Sequence, residues 1–373
     1  MWCSLTWGNQ SKVRKVSYNE VPALRILLFL LSIVVVLSSL WAVLAFWYQA
    51  PGKSIGRYLL IIGWVLAAVL VLVLLWRGLA RPDLARPDLA WQSMLVYALM
   101  FILLRIWWAS LEPSNERNWS DDLARTTHGV VQGEQVTLHN VRNFTWRSET
   151  DYDIAWETRE YDLSRLRSVD MTTSYWDSPA IAHVLLSFGF DDGQFVVFSV
   201  EIRKERHEAF SELGGFFKKF ELSVVATDER DAIRVRTNVR DEDAYLYRTR
   251  LDQDAARQLF LAFIAEANEL AAEPRFYHTV TANCTTLVFS MMRRIIGKLP
   301  LDHRLLLSGH LPAYVQKQRG LQLGYSLEEL RAQGRITDRA IAADQAADFS
   351  QQIRQGVPGW EAETLPLGRA PTE

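Results

Sequence analysis

The chain has 373 residues, 41 basic and 43 acidic side chains, a formal net charge of −2 and a 49% hydrophobic composition. A nearly neutral chain lacks the basic footprint of a nucleic-acid binder. Only two cysteines are present, too few for a disulfide framework, and a length of this order leaves room for more than one folding unit.

Hydrophobicity is concentrated at the start. Residues 26–52 and 58–76 contain no charged side chain, and the apolar run 89–110 is broken only by Arg105. The first two runs are long enough to cross a bilayer as helices. In the third, Arg105 lies near the helix end, where it can snorkel, and Trp107 and Trp108 fit an interfacial aromatic belt. Three transmembrane helices are therefore expected at about 26–48, 58–78 and 90–110, within a membrane region spanning 23–111. A cleaved signal peptide is disfavoured, because the first run far exceeds an h-region and a second span follows at once. Cys3 precedes the apolar segment, so it is not a lipobox cysteine.

Basic residues set the expected topology. Lys12, Arg14, Lys15 and Arg25 precede the first span, and Arg77, Arg81 and Arg86 follow the second, whereas the intervening loop has only Lys53 and Arg57. The positive-inside rule makes residues 1–22 a cytoplasmic arm and places everything after about residue 112 on the outer side, the periplasm of a bacterial inner membrane. A tandem repeat, Arg81-Pro82-Asp83-Leu84-Ala85 then Arg86-Pro87-Asp88-Leu89-Ala90, reads as a tight connector.

From residue 115 to 359 the pattern is that of an α+β domain. Strands are expected at 135–141, 163–171, 222–227, 233–237 and 245–250, and the clearest hairpin joins 180–190 to 194–203 through Asp191-Asp192-Gly193. A helix is expected over 253–271, capped by Asp252 or Asp254, and a second opens at Cys284. Residues 326–333 and 338–353 read as short amphipathic helices, and 360–373 as a disordered tail. Strands and helices segregated in sequence imply an antiparallel sheet with helices packed on it.

Cys284 is the lone thiol of this region, in the run Thr281-Ala282-Asn283-Cys284-Thr285-Thr286. A helix start favours thiolate, which would lower the thiol's pKa and make Cys284 a nucleophile. A nucleophile needs a base and a group to hold it. Of the seven histidines, His183 alone sits inside a strong strand. If Phe190 pairs with Gln194 across the three-residue loop, His183 lies opposite Glu201, with Ser187, Ser199 and Arg203 on the same face. His183 is thus the expected base and Glu201 its orienter. His278, six residues before Cys284, ranks second as base. Asn283, Tyr277 and the Cys284 N–H are candidate oxyanion donors, Asn283 doubling as a helix cap. No Cys/His spacing indicates a metal, and no cofactor is expected. The run Gly214-Gly215-Phe216-Phe217-Lys218-Lys219-Phe220 is an aromatic and basic segment that either touches a membrane surface or forms a half-buried edge.

The sequence resembles the bacterial Lnb N-terminal periplasmic domain family. The resemblance runs through Val141-Arg142-Asn143-Phe144, Thr150-Asp151-Tyr152, Ile181-Ala182-His183, Ser187-Phe188-Gly189-Phe190, Glu201-Ile202-Arg203-Lys204-Glu205, Asp228-Glu229-Arg230-Asp231 and Asn283-Cys284-Thr285-Thr286, and covers nearly all of 115–359. The family's namesake is similar to a thiol-dependent acyltransferase that N-acylates lipoproteins. The order of histidine strand and cysteine helix also resembles permuted NlpC-like and lecithin:retinol acyltransferase-like enzymes of papain-like fold. The resemblance implies Cys284 as nucleophile and His183 as base, with Glu201 as third member. The expectation is a membrane-anchored acyltransferase acting on membrane lipid or lipoprotein. The alternatives are a cysteine peptidase or amidase for cell-wall peptides, and a non-catalytic binding module with Cys284 as a buried core residue.

Overall fold

The computed structural model describes residues 20–50, 55–80 and 87–360. The arm before residue 20, the Arg81–Arg86 part of the tandem repeat and the tail after residue 360 lie outside the described residues. The chain divides into two compact units that meet between Glu112 and Pro113.

The first unit consists of α1 (Glu20–Gln49), α2 (Ile55–Ala80) and α3 (Pro87–Ala109). Each is long and apolar enough to cross a membrane. In hydrocarbon every backbone polar group must be paired within its own segment, which a helix achieves. Polar contacts join the helices among the described residues. The Tyr97 hydroxyl on α3 lies 2.8 and 2.7 Å from the hydroxyls of Ser38 and Ser39 on α1. Arg105 places its guanidinium over the Trp41 ring, 5.0 Å from the centroid.

The second unit is an α+β domain around a mixed eight-stranded sheet. Its strands are β1 (His128–Gln132), β2 (Gln135–Arg142), β5 (Trp156–Asp162), β6 (Leu166–Tyr175), β7 (His183–Phe190), β8 (Phe195–Arg203), β9 (Glu221–Thr227) and β10 (Asp243–Arg248), while β3 (Thr145–Trp146) and β4 (Tyr152–Asp153) pair separately. The order is β1-β2-β9-β8-β7-β6-β10, with β5 also on β2. The sheet is not wholly antiparallel as expected, because β2 meets β9 in parallel at Arg142 and Thr227.

Helices cover both faces: α4 (Glu229–Ala232), α5 (Gln253–Ala272), α6 (Cys284–Ile296), α7 (Leu311–Lys317), α8 (Leu327–Gly334), α9 (Thr337–Ala343) and α10 (Phe349–Gln352). On one face Phe188 and Phe198 pack against Phe260 and Phe263 of α5, all four essentially buried. Such burial contributes about 1.5–3 kcal/mol per ring. On the other, Leu185, Phe195 and Val197 pack against Phe349 and Ile353. There the fully buried Arg354 bonds both Glu229 and Asp170 (2.6 and 2.9 Å), so the charge is paired rather than stranded.

Two expected elements differ. Residues 233–237 are not a strand: Asp228 caps α4 by accepting from the Arg230 N–H, and the chain continues into a π-helical turn, Val235–Val239. Tertiary packing of Ile233 and Val235 overrides their β-branched preference. The expected helix over 338–353 is two short ones, α9 and α10, separated by Asp344 at φ +39°.

Candidate active site

The hairpin of β7 and β8 has the register read from its loop. Phe190 N–H donates to Gln194 O at 2.9 Å and Gly193 takes φ +86°, a conformation only glycine adopts without strain. Pairs run from Gly189↔Phe195 to Leu185↔Ser199 and stop there. Beyond that point the strands part, and His183 and Glu201 stand at the open end.

The segment entering β7 is clamped from below. Ser308 Oγ accepts from the Ala182 N–H (2.9 Å), and the Gly309 N–H donates to Ala180 O (3.0 Å). A Cβ on Gly309 would lie 2.2 Å from Pro179 O, so this approach requires glycine.

His183 and Glu201 are joined by Ser199, which the sequence placed on their face without a role. Ser199 Oγ donates to Glu201 Oε1 at 2.6 Å, and His183 Nε2 lies 2.7 Å from Ser199 Oγ and 3.1 Å from Glu201 Oε1. Since the only Ser199 hydroxyl proton goes to Glu201, its oxygen accepts from His183, which puts the imidazole proton on Nε2. Among the described residues no hydrogen bond reaches Nδ1, and His183 lines the cavity. Arg236, from the π-helical turn, adds a bond to Glu201 Oε1 at 3.3 Å. Burial opposes charge on Glu201. Its interactions with His183, with the Arg236 charge and with the Ser199 hydroxyl more than offset it and hold the carboxyl well below its usual range.

Cys284 opens α6, whose Leu287 and Met291 bury against the first face of the sheet. Asn283 is the cap: its Oδ1 accepts from Thr285 N and Thr286 N (2.9 and 2.8 Å), and its Nδ2 donates to Thr279 O at 2.6 Å. The Asn283 side chain is therefore occupied in holding Cys284 at the first helical position. The Val184 N–H, the amide that follows His183, acts on the thiol to favour its ionised form, and Thr285 Oγ1 lies 3.9 Å from the sulfur. Burial nevertheless pushes the thiol above its ordinary value, and the Glu201 charge adds to the rise. The lowering expected from the helix start is thus outweighed by desolvation.

Cys284, His183, Glu201, Asn283 and Tyr277 line one cavity of about 570 Å³. Among the described residues there is no hydrogen bond between Cys284 and His183. Burial, and then the neighbouring Cys284, push the Tyr277 hydroxyl well up, so it remains a proton donor. His278 is not part of this wall. Its Nδ1 accepts from Val280 N and Thr281 N (3.2 and 3.3 Å) within its own loop. Ser199, Arg236, Thr285 and the Val184 N–H are the additions that the sequence did not assign. Ser199 had a readable signal, its place two residues before Glu201 on the same face. Among the described residues no group of three or more His, Cys, Asp or Glu side chains is placed to hold a metal ion.

A second cavity of about 130 Å³ adjoins the first, and Thr285 lines both. Its wall is otherwise nearly all apolar, with Leu186, Val288, Phe289 and Met292 prominent.

The fold defines a multi-pass membrane protein carrying an α+β domain with a cysteine-bearing helix. Within that domain, residues 152–309 match the model of the Lnb N-terminal periplasmic domain family, so this stretch is similar to that family. No curated protein and no solved structure matches the chain.

Proposed function

We propose that the domain is a thiol-dependent acyltransferase, anchored in a bacterial inner membrane with its N-terminus cytoplasmic and its active site in the periplasm. Support for the orientation is the basic bias of the sequence together with the periplasmic family match at 152–309. The reading takes the permuted papain-like arrangement from the order of histidine strand and cysteine helix.

Cys284 Sγ attacks the carbonyl of a lipid or lipoprotein acyl group while His183 Nδ1 accepts the thiol proton. Glu201 and Ser199 hold the imidazole by its other nitrogen. Tyr277 and the Cys284 N–H are the oxyanion donors, and Asn283 positions the thiol rather than touching the oxyanion. Collapse of the tetrahedral adduct expels an alcohol or amine, which takes the proton from His183, and leaves an acyl-thioester. An incoming amine or water then gives up its proton to His183 and releases the acyl group, restoring the thiol.

The observation that carries acyl transfer over peptide cleavage is the apolar cavity that shares Thr285 with the thiol's own cavity. Its 130 Å³ approaches the roughly 150 Å³ of apolar void that takes up benzene, so it suits about six carbons of an aliphatic chain. A peptide would fill it only through a large apolar side chain. Alkyne-tagged acyl donors should give a hydroxylamine-sensitive adduct on the wild type and none on Cys284→Ser; equal labelling of the two would refute the reading.

A further inference from the structure

We propose that loop 206–219 inserts its apolar tip into the bilayer that anchors the chain, holding the mouth of the Cys284 cavity at the membrane surface. Phe210, Leu213 and Phe216 on this loop are 54, 56 and 39% exposed, far more than large apolar side chains tolerate without a partner surface when they cluster. The loop is fastened to the segment that leads to Cys284. Thr279 Oγ1 donates to Glu212 O at 2.9 Å, and Phe216 meets His278 edge-on at 5.5 Å. Phe210 also lines the Cys284 cavity, together with Leu306 and Trp176, which are 50 and 42% exposed. The apolar tip and the cavity mouth are therefore one surface.

The chain itself identifies the occupant. The last membrane-spanning helix ends at Ala109. By Ser114 the backbone is fixed to the domain, its N–H donating to Glu221 Oε1 at 3.2 Å. Five residues reach at most about 17 Å, so the start of β9 is tethered close to the bilayer. The loop runs directly into that strand through Lys218, Lys219 and Phe220. Lys219 Nζ lies 4.7 Å from the Phe220 ring centroid and Lys218 Nζ 5.2 Å from that of Phe276. Aromatic and aliphatic tips backed by lysines form the composition that lies in the headgroup boundary, with the apolar side about 5–10 Å deep.

The test uses the full chain in phosphatidylethanolamine–phosphatidylglycerol vesicles, in a Cys3→Ser, Cys284→Ser background. A bimane label on Leu213→Cys is expected to be quenched by brominated phospholipid and shielded from aqueous iodide. The same label on Ile341→Cys, at a 51% exposed site on α9, is expected to show the reverse. Equal iodide quenching at both sites would overturn the insertion, as would a Leu213→Cys label that neither agent reaches, because that would mean a protein covers the loop. In the chain with its cysteines intact, Leu213→Asp should slow Cys284 acylation from a vesicle-borne donor severalfold while leaving its alkylation by iodoacetamide unchanged. Equal loss in both would mean that the loop is merely structural. The fluorescence measurement needs no acyl chemistry, so it decides insertion even if the acyltransferase reading fails.

Discussion

Replacing Glu201 by glutamine separates two effects of one carboxylate. Its Oε1 accepts from Ser199 (2.6 Å) and Arg236 (3.3 Å) and lies 3.1 Å from His183 Nε2. All these side chains are largely shielded from water, so solvent screens little of the interaction. A hydrogen bond to a charged group contributes about 1.5–3 kcal/mol and a neutral one about 0.5–1.5, so losing the charge costs roughly 1 kcal/mol per bond, or about 2 in total. Because the Glu201 pKa is depressed in the fold, that stabilisation is fully present above its ordinary value of 4.5 and is lost as the pH falls through the folded value. The gap between wild type and Glu201→Gln should therefore narrow on acidification. On chemistry the two effects oppose. The Glu201 charge helps to raise the Cys284 thiol, so its removal should speed alkylation by iodoacetamide at neutral pH. It also weakens the hold on the His183 tautomer, so acyl transfer should fall by about 10²–10⁴-fold, the range of a positioned acid–base group. Alkylation rates, turnover and melts on the same preparation read all three. Alkylation and turnover falling in parallel, or turnover unchanged, would refute this account of the site.

Asn283→Ala removes the cap on α6 and should cost about 0.5–2 kcal/mol, seen as a lowered melting temperature; an unchanged melt would remove Asn283 from the account of how Cys284 is held. Met292→Trp fills the apolar cavity and should suppress thioester formation from long-chain donors while sparing acetyl-length ones, so uniform loss across chain lengths would deny the cavity its role. Wild-type iodoacetamide alkylation should still be rising at the ordinary thiol value of 9.0, because burial lifts the Cys284 pKa; a plateau near neutral pH would contradict that. Glu221 is pushed up to about 7 by burial, despite Arg117 at 2.8 Å. The folded chain thus holds a proton that the unfolded chain has lost between the ordinary 4.5 and about 7. Stability should fall as pH rises through that window, and Glu221→Gln should abolish the slope.

Much of the site was legible because a hairpin obeys arithmetic. The Asp191-Asp192-Gly193 loop sets the register, and the register brings Glu201 to His183 over an 18-residue gap. What the sequence could not convey was burial on both faces. Ser187 and Ser199 read as a polar face, yet they are 0 and 2% exposed, because α4, α9 and α10 cover that side. The same blindness hid Arg236. Its segment alternates like a strand, but Asp228 turns it into helical turns that project the guanidinium onto Glu201. The thiol was misjudged for a related reason: a helix start is visible in sequence, whereas the desolvation that outweighs it is a tertiary property.

The end of the β7–β8 ladder accounts for how residues from opposite sides of the sheet serve one cavity. His183 and Glu201 share the face of Leu185 and Val197, while α6 packs on the face of Val184 and Leu186. A continued ladder would pair Val184 with Val200 and occupy the Val184 N–H in the sheet. Because pairing stops at Leu185↔Ser199, that N–H is left to act on the Cys284 sulfur. The thiol is thereby held beside the backbone of His183, although no side-chain bond joins the two. Val184 then has two duties: its amide holds the nucleophile and its side chain lines the apolar cavity. A substitution such as Val184→Thr, which keeps the amide and nearly the shape but adds a hydroxyl to the apolar wall, should therefore spare Cys284 alkylation and penalise long-chain acylation. Loss of both together would mean that the two cavities do not act as one site.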